Sequence, residues 1–187
     1  MIRAFIAIAL PDDLKTRLGE VSRRLRSLGL VGSFPKPESI HLTLKFLGDV
    51  SEADINRIDD AMREAARGIQ PFQATVGGLG TFPNASSPRV VWIGIEERQW
   101  LAPLQAAVEK TLEGLGFPPE ERPFSPHLTL ARLKSRENVR ALAAFMNEDA
   151  ARRPLGALSV DSIHLLRSEL RPDGARYTRL RSVPLGG

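Results

Sequence analysis

Apolar and polar positions change period several times along the chain, and each change predicts an element. Ile2–Ala9 alternates as a strand does, with successive side chains on opposite faces. Pro11-Asp12-Asp13 then opens a helix, since proline is tolerated in a first turn and acids suit the positive end of the dipole. Leu14, Leu18, Val21, Leu25 and Leu28 follow at helical spacing, and Gly29 is the expected stop. Phe34-Pro35-Lys36-Pro37 predicts a loop, because two prolines so close deny both helix and central strand. A strand is expected over Ile40–Leu47, then a helix from the Ser51 cap to Arg67 with Gly68 closing it. Strands follow over Phe72–Leu79 and Arg89–Ile95, separated by a loop from Gly80 to Pro88. A third helix is expected over Gln99–Leu115, a strand over Phe124–Leu133 behind a proline-rich approach, and a helix over Ser135–Asn147. Leu158–Arg167 and Ala175–Leu180 read as the last strands, joined by the turn Arg171-Pro172-Asp173-Gly174. This order predicts an α+β fold of two related lobes rather than a doubly wound parallel sheet. No low-complexity linker divides the halves, so residues 1–187 read as one bilobal unit.

Inside that pattern one word occurs twice, His41-Leu42-Thr43-Leu44 and His127-Leu128-Thr129-Leu130, in a chain that has three histidines. On a strand each word sets its leucines toward a core and its His and Thr toward the opposite side, ~7 Å apart. Two such faces brought together make a pocket with two titratable bases and two hydroxyl donors.

Composition narrows the chemistry further. The chain contains no cysteine, which excludes disulfides, thiolate catalysis and cysteine-bound zinc and fits a cytoplasmic location. No apolar run is long enough to span a membrane, and the opening MIRAFIAIALPDDL, lacking a small-residue cleavage site, reads as a strand rather than a signal peptide. A net charge of +4 favours an anionic partner only mildly. Histidine titrates near neutral pH, so one imidazole can take a proton from a nucleophile while the other gives one to a leaving group. Threonine hydroxyls suit phosphate oxygens. Neither word contains a carboxylate, so acid–base catalysis is favoured over metal catalysis, and phosphoester chemistry is the natural fit.

HLTLKFLG and PFSPHLTLAR resemble the two signature motifs of the 2H phosphoesterase superfamily. RAFIAIALP, GLGTFPNASSPRVVWIGI and YTRLRSVPL extend the resemblance nearly end to end, toward the RNA 2′,3′-cyclic phosphodiesterases long called 2′-5′ RNA ligases. The resemblance implies two pseudo-symmetric lobes of antiparallel sheet, helices on the outer faces, and one HxTx motif per lobe (41–44 and 127–130) lining a central cleft. It implies no metal or other cofactor, and a substrate that is an RNA end or oligonucleotide bearing a 2′,3′-cyclic phosphate, hydrolysed to a 2′-phosphate. By position it makes His41 the proton donor to the departing 3′-oxygen and His127 the acceptor that activates water, with Thr43, Thr129 and Arg132 on the phosphate. Strict alternation, however, puts Arg132 on the leucine side, so it reaches the cleft only if the strand bends or ends there. Lys45 shares the His41 face on the same rule, where simple solvation would also account for it.

Other residues read more blandly. His164 belongs to no such word and reads as structural or surface, and Trp92, Trp100 and Phe82 as core or lobe packing. Tyr177 could form an aromatic rim, though nothing in the sequence places it. Two rival functions remain: RNA 2′-5′ ligation, formally the reverse reaction at the same site, and a non-catalytic RNA-end or nucleotide-binding module. Nothing demands a membrane, an obligatory protein partner or more than a monomer.

Overall fold

The computed structural model describes residues 1–172 and 174–187. Its elements in chain order are β1 (Ile2–Ile8), α1 (Asp12–Ser27), β2 (Gly32–Ser33), β3 (Leu42–Val50), α2 (Ile55–Ala66), β4 (Phe72–Phe82), β5 (Val90–Ile95), α3 (Arg98–Glu113), β6 (His127–Leu133), α4 (Val139–Met146), α5 (Asp149–Arg152), β7 (Pro154–Val160), β8 (Ser162–Arg171) and β9 (Gly174–Pro184). The strands form a four-stranded sheet ordered β3-β1-β8-β9 and a five-stranded sheet ordered β2-β6-β5-β4-β7. The described pairings are antiparallel. The expected α+β architecture of two antiparallel lobes is therefore present.

The two sheets correspond strand for strand around the words: β3 beside β1 in the first, β6 beside β5 in the second. The helices cross between them. α1 follows β1 yet packs on β7 and β6 of the second sheet, while α3 follows β5 yet packs on α2 and β3 of the first. One apolar cluster consequently runs through both lobes, from Ile6, Leu42 and Leu165 to Val91, Leu128 and Leu158. Each fully buried Leu or Ile of this kind contributes about 1.5–3 kcal/mol, and the exchange of helices makes that burial common to both sheets.

Local rules account for most element ends. Gly29 closes the α1 region at φ +74° and Gly68 follows α2 at φ +73°, conformations glycine adopts without a Cβ penalty. Ser51 accepts the Ala53 N–H where a short 3₁₀ turn leads into α2. Three expectations need correction. Gly80 is not loop: β4 continues to Phe82, pairing with Val90, and the Trp92 ring lies where a Cβ on Gly80 would be, 2.2 Å from one of its atoms. The expected strand from Leu158 is two strands, β7 and β8, that meet around Asp161. The helix expected from Ser135 begins at Val139, and α5 follows it. β2, two residues long, lies in a stretch that carries no periodic signal. The final hairpin joins β8 to β9 as expected, and Asp173 of its turn lies outside the described residues. Among the described residues no helix is long and apolar enough to cross a membrane.

Candidate active site

Both words fold as alternation dictates. Leu42, Leu44, Leu128 and Leu130 are buried in the core, while His41, Thr43, His127 and Thr129 are half-buried and line one cleft of about 590 Å³. The residue before each His, Ile40 and Pro126, is buried and anchors the approach. That anchoring turns the chain so that the carbonyl two residues upstream meets the imidazole. His41 Nδ1 lies 2.8 Å from the Ser39 carbonyl and His127 Nδ1 lies 2.7 Å from the Ser125 carbonyl. A carbonyl only accepts, so each Nδ1 carries the proton, and Nε2 is left as the nitrogen that can act on a substrate.

Beyond the words both strands bulge at the same place. Against β1, Thr43 pairs with Ala7 but Lys45 pairs with Ile6, so Leu44 is an extra residue. Against β5, Thr129 pairs with Trp92 but Ala131 pairs with Val91, so Leu130 is extra. An inserted residue breaks strict alternation. Leu44 and Lys45 both turn inward, as do Leu130 and Ala131, and the next residues, Phe46 and Arg132, return to the cleft. This bend meets the condition for Arg132 and corrects the reading of Lys45. Arg132 lines the cleft with His127 and Thr129. Lys45 is neither on the His41 face nor solvated: its side chain is 3% exposed, and its Nζ donates to Glu109 Oε2 on α3 and to the Pro118 carbonyl.

Aromatic rings hold each imidazole. His41 packs on Phe5 with centroids 4.6 Å apart and meets Tyr177 edge-on at 5.0 Å. His127 meets Phe82 edge-on at 5.0 Å, with Trp92 behind at 6.3 Å. Phe82 and Trp92 therefore support a histidine as well as packing between strands. Trp100 is 57% exposed, against the expectation of a packed residue. Tyr177, which the sequence could not place, lines the cleft beside His41. His164 is buried on β8, as a structural residue, and does not line the cleft.

Burial is the main electrostatic influence on both histidines. It pushes His41 down to about 4, against the opposing pull of the Ser39 carbonyl. It also lowers His127, where the Arg132 guanidinium adds a smaller push in the same direction. Both imidazoles are thus neutral in the empty cleft at neutral pH. An anion held between them reverses the effect, because a neighbouring negative charge favours the protonated form. Among the described residues, none that lines the cleft is acidic, while Arg3, Lys36 and Arg132 do line it. The arrangement can accept an anion between two acid–base groups. The sequence missed the Ser39 and Ser125 carbonyls, Phe5, Phe46 and Arg3. A serine two places before each His was the visible trace of the first pair, although the bond itself is made by backbone.

Comparison with known proteins agrees with this geometry. The family model described as the 2′-5′ RNA ligase superfamily matches residues 10–172. The chain is 37% identical over 177 residues, 95% of each chain, to an RNA 2′,3′-cyclic phosphodiesterase of Methanothermobacter thermautotrophicus. A crystal structure from Thermus thermophilus superposes with a TM-score of 0.76 at 33% identity, covering 100% of this chain and 99% of the other. Escherichia coli LigT, solved with 3′-AMP, superposes with a TM-score of 0.77 at 27% identity and the same coverage.

Proposed function

The chain belongs to the 2′-5′ RNA ligase superfamily, and from that premise we propose that it is an RNA 2′,3′-cyclic phosphodiesterase that works by two-histidine acid–base catalysis. The observation that carries the reading is the matched pair of imidazoles in one cleft, each with Nδ1 spent on a backbone carbonyl.

In this reading the cyclic phosphate sits between the words, its non-bridging oxygens taking hydrogen bonds from Thr43 and Thr129 and an ion pair from Arg132. His127 Nε2 takes a proton from water as the water oxygen bonds to phosphorus. His41 Nε2 gives a proton to the 3′-oxygen as the P–O3′ bond breaks, leaving a 2′-phosphate. One proton is taken and one given, so the pair ends with its protonation exchanged. His41 must carry that proton before reaction, which burial alone opposes; the substrate's own negative charge makes it possible, so protonation follows binding. With a 5′-hydroxyl in place of water, the same transfers give a 2′-5′ phosphodiester. The relatives named as phosphodiesterases, and the neighbour solved with 3′-AMP, support the substrate class.

The test is incubation with a 2′,3′-cyclic nucleotide in excess chelator, with the 2′- and 3′-phosphate products resolved. Chelator-resistant turnover to the 2′-phosphate is expected. No turnover, turnover only with added metal, or a 3′-phosphate product overturns the mechanism; salt-dependent RNA binding without turnover would instead point to a non-catalytic module.

A further inference from the structure

The bulges that aim Arg132 at the phosphate aim Phe46 at the equivalent place in the other lobe, and an aromatic ring there serves a different purpose. Phe46 is 63% exposed and Leu170 is 75% exposed, and both line the cleft on the face of the first sheet. Large apolar side chains left open inside a cleft, next to an anion site, mark a surface that something covers. Phe46 is backed by Phe5, 5.9 Å away, and Phe5 by Tyr177 at 5.1 Å, so the exposed ring stands on a fixed aromatic base. Arg3 lies two residues beyond Phe5 on β1, ~7 Å farther from His41 along the strand. It is cross-strand from Ser168, which in turn pairs with Tyr177; these residues share a face, and all three line the cleft. Arg3 is exposed and makes no ion pair among the described residues, including with Asp49 opposite it on β3. The second lobe offers no matching extension: at the position equivalent to Phe5 stands Val90, paired with Arg132.

We infer that this face of the first sheet binds the nucleotide 5′ to the reacting end of an RNA strand, with a base on Phe46 and the phosphate joining the two nucleotides on Arg3. The inference rests on the cyclic-phosphodiesterase reading and adds the strand's path: away from His41 along β1, toward Arg3. It makes the enzyme selective for RNA ends over mononucleotides. Base–aromatic stacking tolerates any base, so the subsite reads chain length rather than sequence.

The test compares kcat/KM for a dinucleotide and a mononucleotide, both ending in a 2′,3′-cyclic phosphate, in wild type, Phe46→Ala, Phe46→Tyr and Arg3→Gln. The wild type is expected to prefer the dinucleotide by about tenfold, the scale of one stacked base. Phe46→Ala should erase that ratio and Phe46→Tyr should keep it. Arg3→Gln should reduce the ratio and flatten the salt dependence of KM for the dinucleotide, with kcat little changed, because the contact is the same in ground and transition states. A wild-type ratio near one, or a ratio that neither Phe46→Ala nor Arg3→Gln moves, overturns the inference. If wild type turns over neither substrate, the functional reading fails, and the strand path is judged by titrating wild type and Phe46→Ala with a fluorescent trinucleotide ending in a 2′-phosphate. Tighter binding by wild type supports the path, and equal binding overturns it. A dimer in sedimentation that Phe46→Ala dissolves would assign the face to a second copy and also overturn it.

Discussion

The β3 and β6 strands carry the same word, the same upstream carbonyl clamp and the same bulge, yet they do different things from the fifth residue on. At the inward position after the bulge, the first lobe has Lys45, ion-paired with Glu109, and the second has Ala131. At the position that returns to the cleft, the first has Phe46 and the second Arg132. Behind the threonines the fillers are exchanged as well. Thr43 is followed across its sheet by Ala7 and then His164, small then large, whereas Thr129 is followed by Trp92 and then Gly80, large then small. Symmetry thus supplies the framework that sets two imidazoles in one cleft. The departures from symmetry supply direction, since a guanidinium recognises phosphate on one side while a ring offers a surface to a nucleoside on the other.

The sharpest way to break the comparison is at the histidines. Alanine at His41 or His127 is expected to lower kcat on a cyclic-phosphate substrate by about 10²–10⁴-fold. An aryl phosphodiester, whose phenolate departs without a proton, should separate the two: it should rescue His41→Ala and leave His127→Ala impaired. Equal losses for both variants on the aryl substrate would end the proposed division of labour.

Lys45 and Ala131 test the same comparison through stability. Lys45→Met leaves the Glu109 carboxylate, 15% exposed and still bonded by Gln105 and the Glu120 N–H, without its cation. This should cost about 3 kcal/mol in denaturant melts, the low end for a buried pair, and adding Glu109→Leu should restore most of it. Ala131→Met only crowds the core, at about 1–3 kcal/mol. A loss from Lys45→Met as small as that of an exposed ion pair, about 1 kcal/mol or less, would show that the ion pair does not hold α3 to β3.

The remaining effects lie in pH. Burial keeps both free imidazoles below their ordinary 6.5, with His41 at about 4. The ratio kcat/KM reports the free enzyme, in which His41 must be protonated and His127 neutral, so it should trace a bell on the acid side of 6.5. The constant kcat reports the complex, where the bound anion favours both protonated forms, and its bell should lie at higher pH. Stability has the matching sign. Between 6.5 and about 4 the unfolded chain binds a proton at His41 that the folded chain refuses. Stability is therefore full above 6.5 and declines as pH falls through this window. His41→Asn should make that decline shallower, and an unchanged slope in acid melts would contradict the depressed value.

Much of this was legible in the amino-acid order. Alternation placed the words on strands with leucines inward, and the two-lobed α+β plan followed from the sequence of periods. Gly29 and Gly68 marked helix ends because their chemistry is local. What failed depended on pairing. Gly80 reads as turn in isolation and is strand because it pairs with Trp92 on β5, whose ring fills the place of a Cβ. Lys45 and Arg132 exchanged expected faces because each bulge is a mismatch with β1 or β5, and a single strand does not reveal its partner's register.

Taken alone, then, the sequence determined the residue types of the chemistry: two His-Leu-Thr-Leu words, no thiol, and apolar positions that bury one side of each strand. The tertiary structure decided their use. Folding brought the words into one cleft, clamped each Nδ1, and by two bulges presented Arg132 on one side and Phe46 on the other. The reason is physical: side-chain type and local period are properties of the chain, whereas facing, burial and register arise only when strands distant in sequence share hydrogen bonds.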